Sequence, residues 1–214
     1  NRVLWVVPDP EKTILSGSGT SPTTISESNG MNILFVTTHM NIGGIGNYIL
    51  NLAVALKKRG HNIIVASSGG QLESALGAKG IRHIYININT KSEISPKVFF
   101  TALRLKNIIR ENNVDIIHAN TRVTEVASFF ASRLTRRPYV ATAHGFYKKR
   151  AGRAILKCFG FKTIAISDSV KDGLVEVFKL RPRDIRTIYT GIDLEKFMSD
   201  FSEKELEDVK KKYK

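Results

Sequence analysis

Five short segments, far apart in the chain, place polar or glycine residues directly after an apolar run. Thr38 and His39 lead into Gly43, Gly44 and Gly46; His118, Ala119 and Asn120 follow DII; His144 and Gly145 follow YVATA. Ser167 and Asp168 follow IAI, and Thr190, Gly191, Ile192 and Asp193 follow RTIY. Such residues hold anions and orient hydroxyl groups. Small residues that open a helix offer free N–H groups and a positive dipole end to a phosphate, and a histidine beside a glycine lets a ligand approach imidazole and backbone together.

Each segment also has a plainer reading. The glycine loop is either a phosphate cradle or a tight strand-to-helix turn, and His39 faces either a cleft or the loop itself. His118 reads as an interior histidine satisfied by its neighbours, Ser167 with Asp168 as a helix N-cap pair, and Gly191 to Asp193 as a turn. His144, followed by Gly145, reads first as a ligand contact. The loop carries only part of GxGxxG, since Ile49 stands where the third glycine belongs, and HNIIVA runs into SSGG without a ribose-binding acid, which argues against a nicotinamide cofactor. No Cys/His metal spacing, GxSxG elbow or GxxxxGK[ST] loop occurs, so metal-site, serine hydrolase and P-loop readings fall.

These segments form one site only if the apolar runs are strands that end at a common rim. The pattern predicts strands near 32–37, 62–66, 83–86, 115–118, 139–142, 162–166 and 186–189. Most are short continuous runs such as NILFV and DIIHA, as expected for strands buried on both faces. Between them, Ile45, Ile49, Leu52, Ala53 and Leu56 share a helical face closed by Lys57, Lys58, Arg59 and Gly60. Further helices are expected near 71–79, 96–112, 122–135, 149–158 and 168–179. The implied fold is α/β: a Rossmann-like parallel sheet with helices on both faces, whose ligands bind beyond the carboxyl ends of the strands.

The domain is expected to span residues 31–197. Residues 1–30, ending in the linker-like SGSGTSPTTISESNG, read as an extension, tag or linker. Residues 198–214 read as the start of an interdomain helix, with Ser202 and Glu205 as a capping box. A chain of 214 residues supports one core, and its single cysteine, Cys158, forms no internal disulfide. A cytoplasmic setting is expected, with peripheral attachment at the inner face of the membrane. Of the net charge of +14, residues 91–162 carry +11, from 15 Lys/Arg against 4 Asp/Glu. The stretch YKKRAGRAILKCFGFK places Lys148, Lys149, Arg150, Arg153 and Lys157 among apolar residues, the pattern of a helix lying on an anionic membrane surface or of a surface helix packed on the core.

Taken together, GG with NYILNLAVALKKRGH, DIIHAN, TAHG, IAISDSV and TGIDLEKF resemble the amino-terminal domain of the retaining glycosyltransferases of family 4, enzymes of the two-domain GT-B fold. The resemblance covers about residues 31–197. It implies sugar transfer from a UDP- or GDP-linked donor to a glycan or lipid-linked acceptor, without a cofactor or metal. It implies that Gly43 and Gly44 approach the donor diphosphate and that His144 lies beside the transferred sugar. His39, His118, Asn120, Ser167, Gly191 and Asp193 would line the acceptor side and the interdomain cleft, although Asn120 replaces the more usual histidine. The family's donor-binding domain, with its ExxxxxxxE segment, would follow Phe197, so the 214 residues alone are expected to be inactive. Other readings are a non-catalytic module that binds an acceptor or partner chain, a GT-B sugar epimerase, and charge-driven nucleic-acid binding. The last has no reading motif behind it, so no specific nucleic acid is expected.

Overall fold

The apolar runs become seven parallel strands: β1 (Asn32–Val36), β2 (Asn62–Ser67), β3 (Arg82–Tyr85), β4 (Ile116–Ala119), β5 (Tyr139–Ala143), β6 (Lys162–Ala165) and β7 (Ile185–Thr187). The computed structural model describes residues 30–90, 92–147, 158–191, 207–208 and 210–211. Helices α1 (Gly44–Lys58), α2 (Glu73–Ala78), α3 (Pro96–Glu111), α4 (Arg122–Thr135) and α5 (Asp168–Phe178) lie between strands, and a 3-10 turn (Pro182–Asp184) precedes β7. Apart from Cys158, the helix expected at 149–158 lies outside the described residues. In the tail, Glu207, Asp208, Lys210 and Lys211 are helical.

The strand order is β3-β2-β1-β4-β5-β6-β7, so the direction of winding reverses between β1 and β4, where such sheets open a crevice for ligands. The two faces are read off β1. Ile33 and Phe35 pack with Tyr48, Ile49 and Ala53 of α1 and Leu76 of α2, whereas Leu34 and Val36 join Val98, Leu105 and Ile108 of α3 and Val126 of α4. A strand buried on both sides needs apolar residues at every position, which is why NILFV does not alternate. A third cluster gathers Ala143, Phe159, Ala165, Val170, Leu174, Phe178 and Ile185 around α5.

Local signals set the ends of the helices. Ser95 caps α3, its hydroxyl accepting from the Lys97 amide at 3.4 Å, with Pro96 in the first turn. Gly60, at φ 86°, turns the chain from α1 into β2. Strand β7 is shorter than the apolar run predicts: it pairs with β6 at the edge of the sheet among the described residues, and after Thr187 one further bond, Ile188 amide to Ala165 carbonyl at 2.9 Å, follows the ladder. No helix among the described residues is long and apolar enough to cross a membrane.

Candidate functional site

The strand ends do share a rim. The amides of Thr37, Asn120 and Ile188 each bond a carbonyl at or next to the end of a neighbouring strand, on Ala66, Val36 and Ala165. His39, the glycine loop, Asn120, His144 and Ser167 therefore leave the sheet at the same edge. His39 is exposed there.

Two histidines occupy the middle of this rim in different ways. His118 is 5% exposed; its Nε2 shares a 2.6 Å hydrogen bond with the Thr142 hydroxyl, and its ring lies 4.8 Å from Phe35. Burial, with His144 nearby, pushes its pKa down to about 3. His144 is half-buried one step beyond β5, its ring edge-on to Tyr48 at 4.7 Å. Burial lowers its pKa to about 4, so at neutral pH it is uncharged. Asn120 donates through Nδ2 to the His118 carbonyl at 2.9 Å, which turns its Oδ1 toward His144 Nε2 at 3.3 Å. An amide oxygen only accepts, so Nε2 carries the His144 proton and Nδ1 keeps a lone pair for an incoming hydroxyl.

The loop glycines divide by role. A Cβ on Gly46 would sit 2.2 Å from the Asn41 carbonyl oxygen and 2.8 Å from Leu72, so this glycine is required by packing. A Cβ on Gly43 or Gly44 would meet nothing within 4 Å. The fold does not need glycine at either position, and both face open space at the start of a 15-residue helix that has no side-chain cap and no acidic residue in its first turn. The first intrahelical bond is Asn47 amide to Gly43 carbonyl at 2.9 Å, which leaves the amides ahead of it directed at the rim. Gly46→Ala is expected to lower stability by about 1–3 kcal/mol through overpacking, and Gly43→Ala to leave it within about 0.5 kcal/mol. Urea titration of both variants reads the contrast.

Behind the rim lies a buried charge cluster that the sequence reading missed. Arg122 Nη1 donates to Glu125 Oε2 at 2.6 Å and to the Cys158 carbonyl at 3.0 Å, while its Nε lies 3.8 Å from Glu93 and its guanidinium 4.6 Å above the Phe159 ring. Tyr147 donates to the other Glu125 oxygen at 3.0 Å. Glu125 is fully buried, and burial holds its carboxyl above the usual range against the pull of Arg122. Four segments meet here: the loop before α3, the first turn of α4, the loop carrying His144, and the chain entering β6. The sequence signal was an Arg/Glu pair at i,i+3 in the first turn of α4, a spacing more often found on surfaces. Cys158 is buried as core packing, and burial pushes its thiol up to about 11.

At the other end of the rim Ser167 caps α5, its hydroxyl accepting from the Val170 amide at 3.3 Å. Asp168 accepts from Thr187 at 2.8 Å and from Tyr189 at 2.5 Å, tying the ends of β6 and β7 together. Hydrogen bonds from Tyr189 and Thr187 hold its carboxyl below the usual range. Gly191 closes this stretch. Asp193, Lys148, Lys149, Arg150, Arg153 and Lys157 lie outside the described residues.

A neutral histidine and an uncapped helix start thus share the C-terminal rim of a Rossmann-like sheet. The model of Glycosyltransferase Family 4 matches residues 42–196. The chain belongs to this family. A glycosyltransferase from Rickettsia africae shares 30% identity and superposes with a TM-score of 0.73 over 86% of this chain and 50% of that one. A capsular polysaccharide biosynthesis glycosyltransferase of Staphylococcus aureus is 23% identical over 188 residues, 81% of this chain and 50% of its own length. The Anabaena protein HepE, solved with UDP-glucose, has the same fold, with a TM-score of 0.69 and 20% identity over 86% of this chain and 50% of its own. This family 4 chain thus spans about half the length of the relatives it matches, and its sheet corresponds to one Rossmann-like half of a GT-B enzyme.

Proposed function

We propose that this chain is the amino-terminal, acceptor-side half of a retaining glycosyltransferase, which moves a sugar from a UDP- or GDP-linked donor to a glycan or lipid-linked acceptor. The observation that carries the proposal is His144, neutral and oriented by Asn120, placed on the same rim as the open Gly43–Gly44 start of α1. In this reading the amides at Gly43 and Gly44 meet the donor diphosphate, and the His144 Nδ1 lone pair accepts a hydrogen bond from a hydroxyl of the transferred sugar. His118 and Asn120 act from behind, as positioning residues for that imidazole, while His39, Ser167, Gly191 and Asp193 border the acceptor side and the cleft. The donor half supplies the charge that stabilises the departing diphosphate. The UDP-glucose complex of HepE and the capsular role of the S. aureus relative support the donor and acceptor classes.

The proposal places the protein in the cytoplasm, at the inner membrane face when its acceptor is lipid-linked. Nucleotide release from UDP- and GDP-linked sugars tests it. The 214-residue chain is expected to release none, and the protein containing both halves to release it in an acceptor-dependent way. His144→Ala in that protein should lower kcat/KM roughly tenfold, the worth of one neutral hydrogen bond. Normal turnover by the isolated chain, or an unchanged rate in the variant, contradicts the assignment.

A further inference from the structure

On the β2–β3 side of the sheet, away from His144, three side chains form a second polar array. Ser67 Oγ lies 2.8 Å from His83 Nε2, and His83 Nδ1 lies 3.1 Å from Glu73 Oε2. A serine, histidine and carboxylate in this order activate a nucleophile in hydrolases. Here, however, the serine is fully buried, and its Oγ already accepts from the Gly69 amide at 3.1 Å. No substrate carbon can reach it. The array therefore serves position, not attack.

Every proton in the array has one place. Glu73 Oε1 accepts from the Gly70 amide at 2.6 Å, so the carboxylate accepts at both oxygens and His83 carries its proton on Nδ1. Burial lowers the His83 pKa against the opposing pull of Glu73, so the ring is neutral at pH 7. Nε2 is then an acceptor, and the Ser67 hydroxyl donates to it. Ser67 follows Ile63 and Val65 on the sheet face that packs α1 and α2, and His83 reaches it from the neighbouring β3. These bonds fix the loop from Ser67 to Glu73, in which Gly69 and Gly70 hold φ values of 86° and 148°.

That loop in turn grips the chain leading into α1. The Met40 amide donates to the Gly69 carbonyl at 2.8 Å, the Leu72 amide to the Met40 carbonyl at 2.8 Å, and the Ser68 amide to the Thr38 carbonyl at 3.0 Å. The two segments are in close contact, since a Cβ on Gly70 would sit 2.4 Å from the Met40 carbonyl carbon. Gly43 and Gly44 themselves face open space, so their placement is set by the residues on either side. We propose that Ser67, His83 and Glu73 are positioning residues for the glycine loop, bracing residues 40–46 so that the Gly43 and Gly44 amides are presented to the donor diphosphate. This rests on the proposed contact of those amides with the donor; the three side chains act through the loop.

The test compares the wild type with Glu73→Gln and Ser67→Ala. Glutamine keeps the shape of Glu73, but its amide nitrogen only donates, which favours a ring whose proton has moved to Nε2. Nitrogen-15 NMR of the 214-residue chain should show the His83 proton on Nδ1 in the wild type and on Nε2 in Glu73→Gln. Hydrogen exchange at the Met40 and Leu72 amides should speed up roughly tenfold in both variants, with protection in β1 unchanged. In the protein containing both halves, each variant should raise the KM for the nucleotide-sugar donor roughly fivefold, with kcat and the acceptor KM within about twofold, because the loop amides meet the diphosphate in ground and transition state alike. A wild-type proton on Nε2, or unchanged exchange at Met40 and Leu72 in both variants, overturns the proposal. So does normal turnover with an unchanged donor KM, or an equal rise in both KM values, which would mark a general disturbance of the fold. Absence of turnover in the wild-type two-domain protein is instead a failure of the transferase reading, and the NMR and exchange results on the chain then decide the brace.

Discussion

Replacing Arg122 by methionine lowers the unfolding free energy by about 3–5 kcal/mol, because it leaves the fully buried Glu125 carboxylate without its partner. The reverse change, Glu125→Leu, removes the 2.6 Å carboxylate partner of the buried Arg122, which keeps Glu93 at 3.8 Å, and is expected to be destabilising as well. The double variant should recover much of the loss, since an apolar pair removes both charges together. Urea midpoints of the wild type and three variants form the cycle. Additive losses would show that the two side chains are not coupled, contrary to the 2.6 Å contact. The cluster also joins the His144 loop to α4 through Tyr147, so Arg122→Met should increase amide exchange at Gly145 and Phe146 before global unfolding.

The second large effect is acid lability centred on His144 and His118. Burial depresses both pKa values, to about 4 and about 3, below the ordinary 6.5. The unfolded chain therefore binds protons that the folded chain refuses. The stability this represents is complete above pH 6.5 and is lost as the pH falls toward the folded values. For His144 the loss between pH 7 and pH 5 is about 2 kcal/mol. Glu125 acts in the opposite direction, since burial raises its carboxyl, so the histidine share is read as a difference. His144→Asn is expected to lose about 2 kcal/mol less than the wild type over that interval, as urea titration at both pH values would show. Equal pH dependence in the two proteins would mean that His144 titrates normally and is not held neutral by its surroundings.

Much of the architecture was legible because parallel strands buried on both faces leave little freedom in their composition. NILFV, DIIHA and YVATA could be placed without knowing what covered them, and Ser95-Pro96 and Gly60 marked helix boundaries by local chemistry alone. The rim was legible as a set of polar residues following apolar runs. What the sequence did not reveal were the pairings across it. Asn120 and His144 lie 24 positions apart, yet their contact decides which His144 nitrogen is free. Tyr48 was hidden in an apolar stripe, where an aromatic ring reads as core. The Arg122–Glu125 pair was hidden by its spacing, because i,i+3 charges look solvated until the neighbouring helix and loops are in place.

The proposal that this family 4 chain is one half of a two-domain transferase is decided by reading the coding frame past the codon for Lys214. The expected result is a continuation of about 150 residues that builds a second Rossmann-like domain and carries an ExxxxxxxE segment. A stop codon directly after Lys214 would contradict it, and the rim of His144 and Gly43 would then belong to a binding module that receives its donor site from another chain.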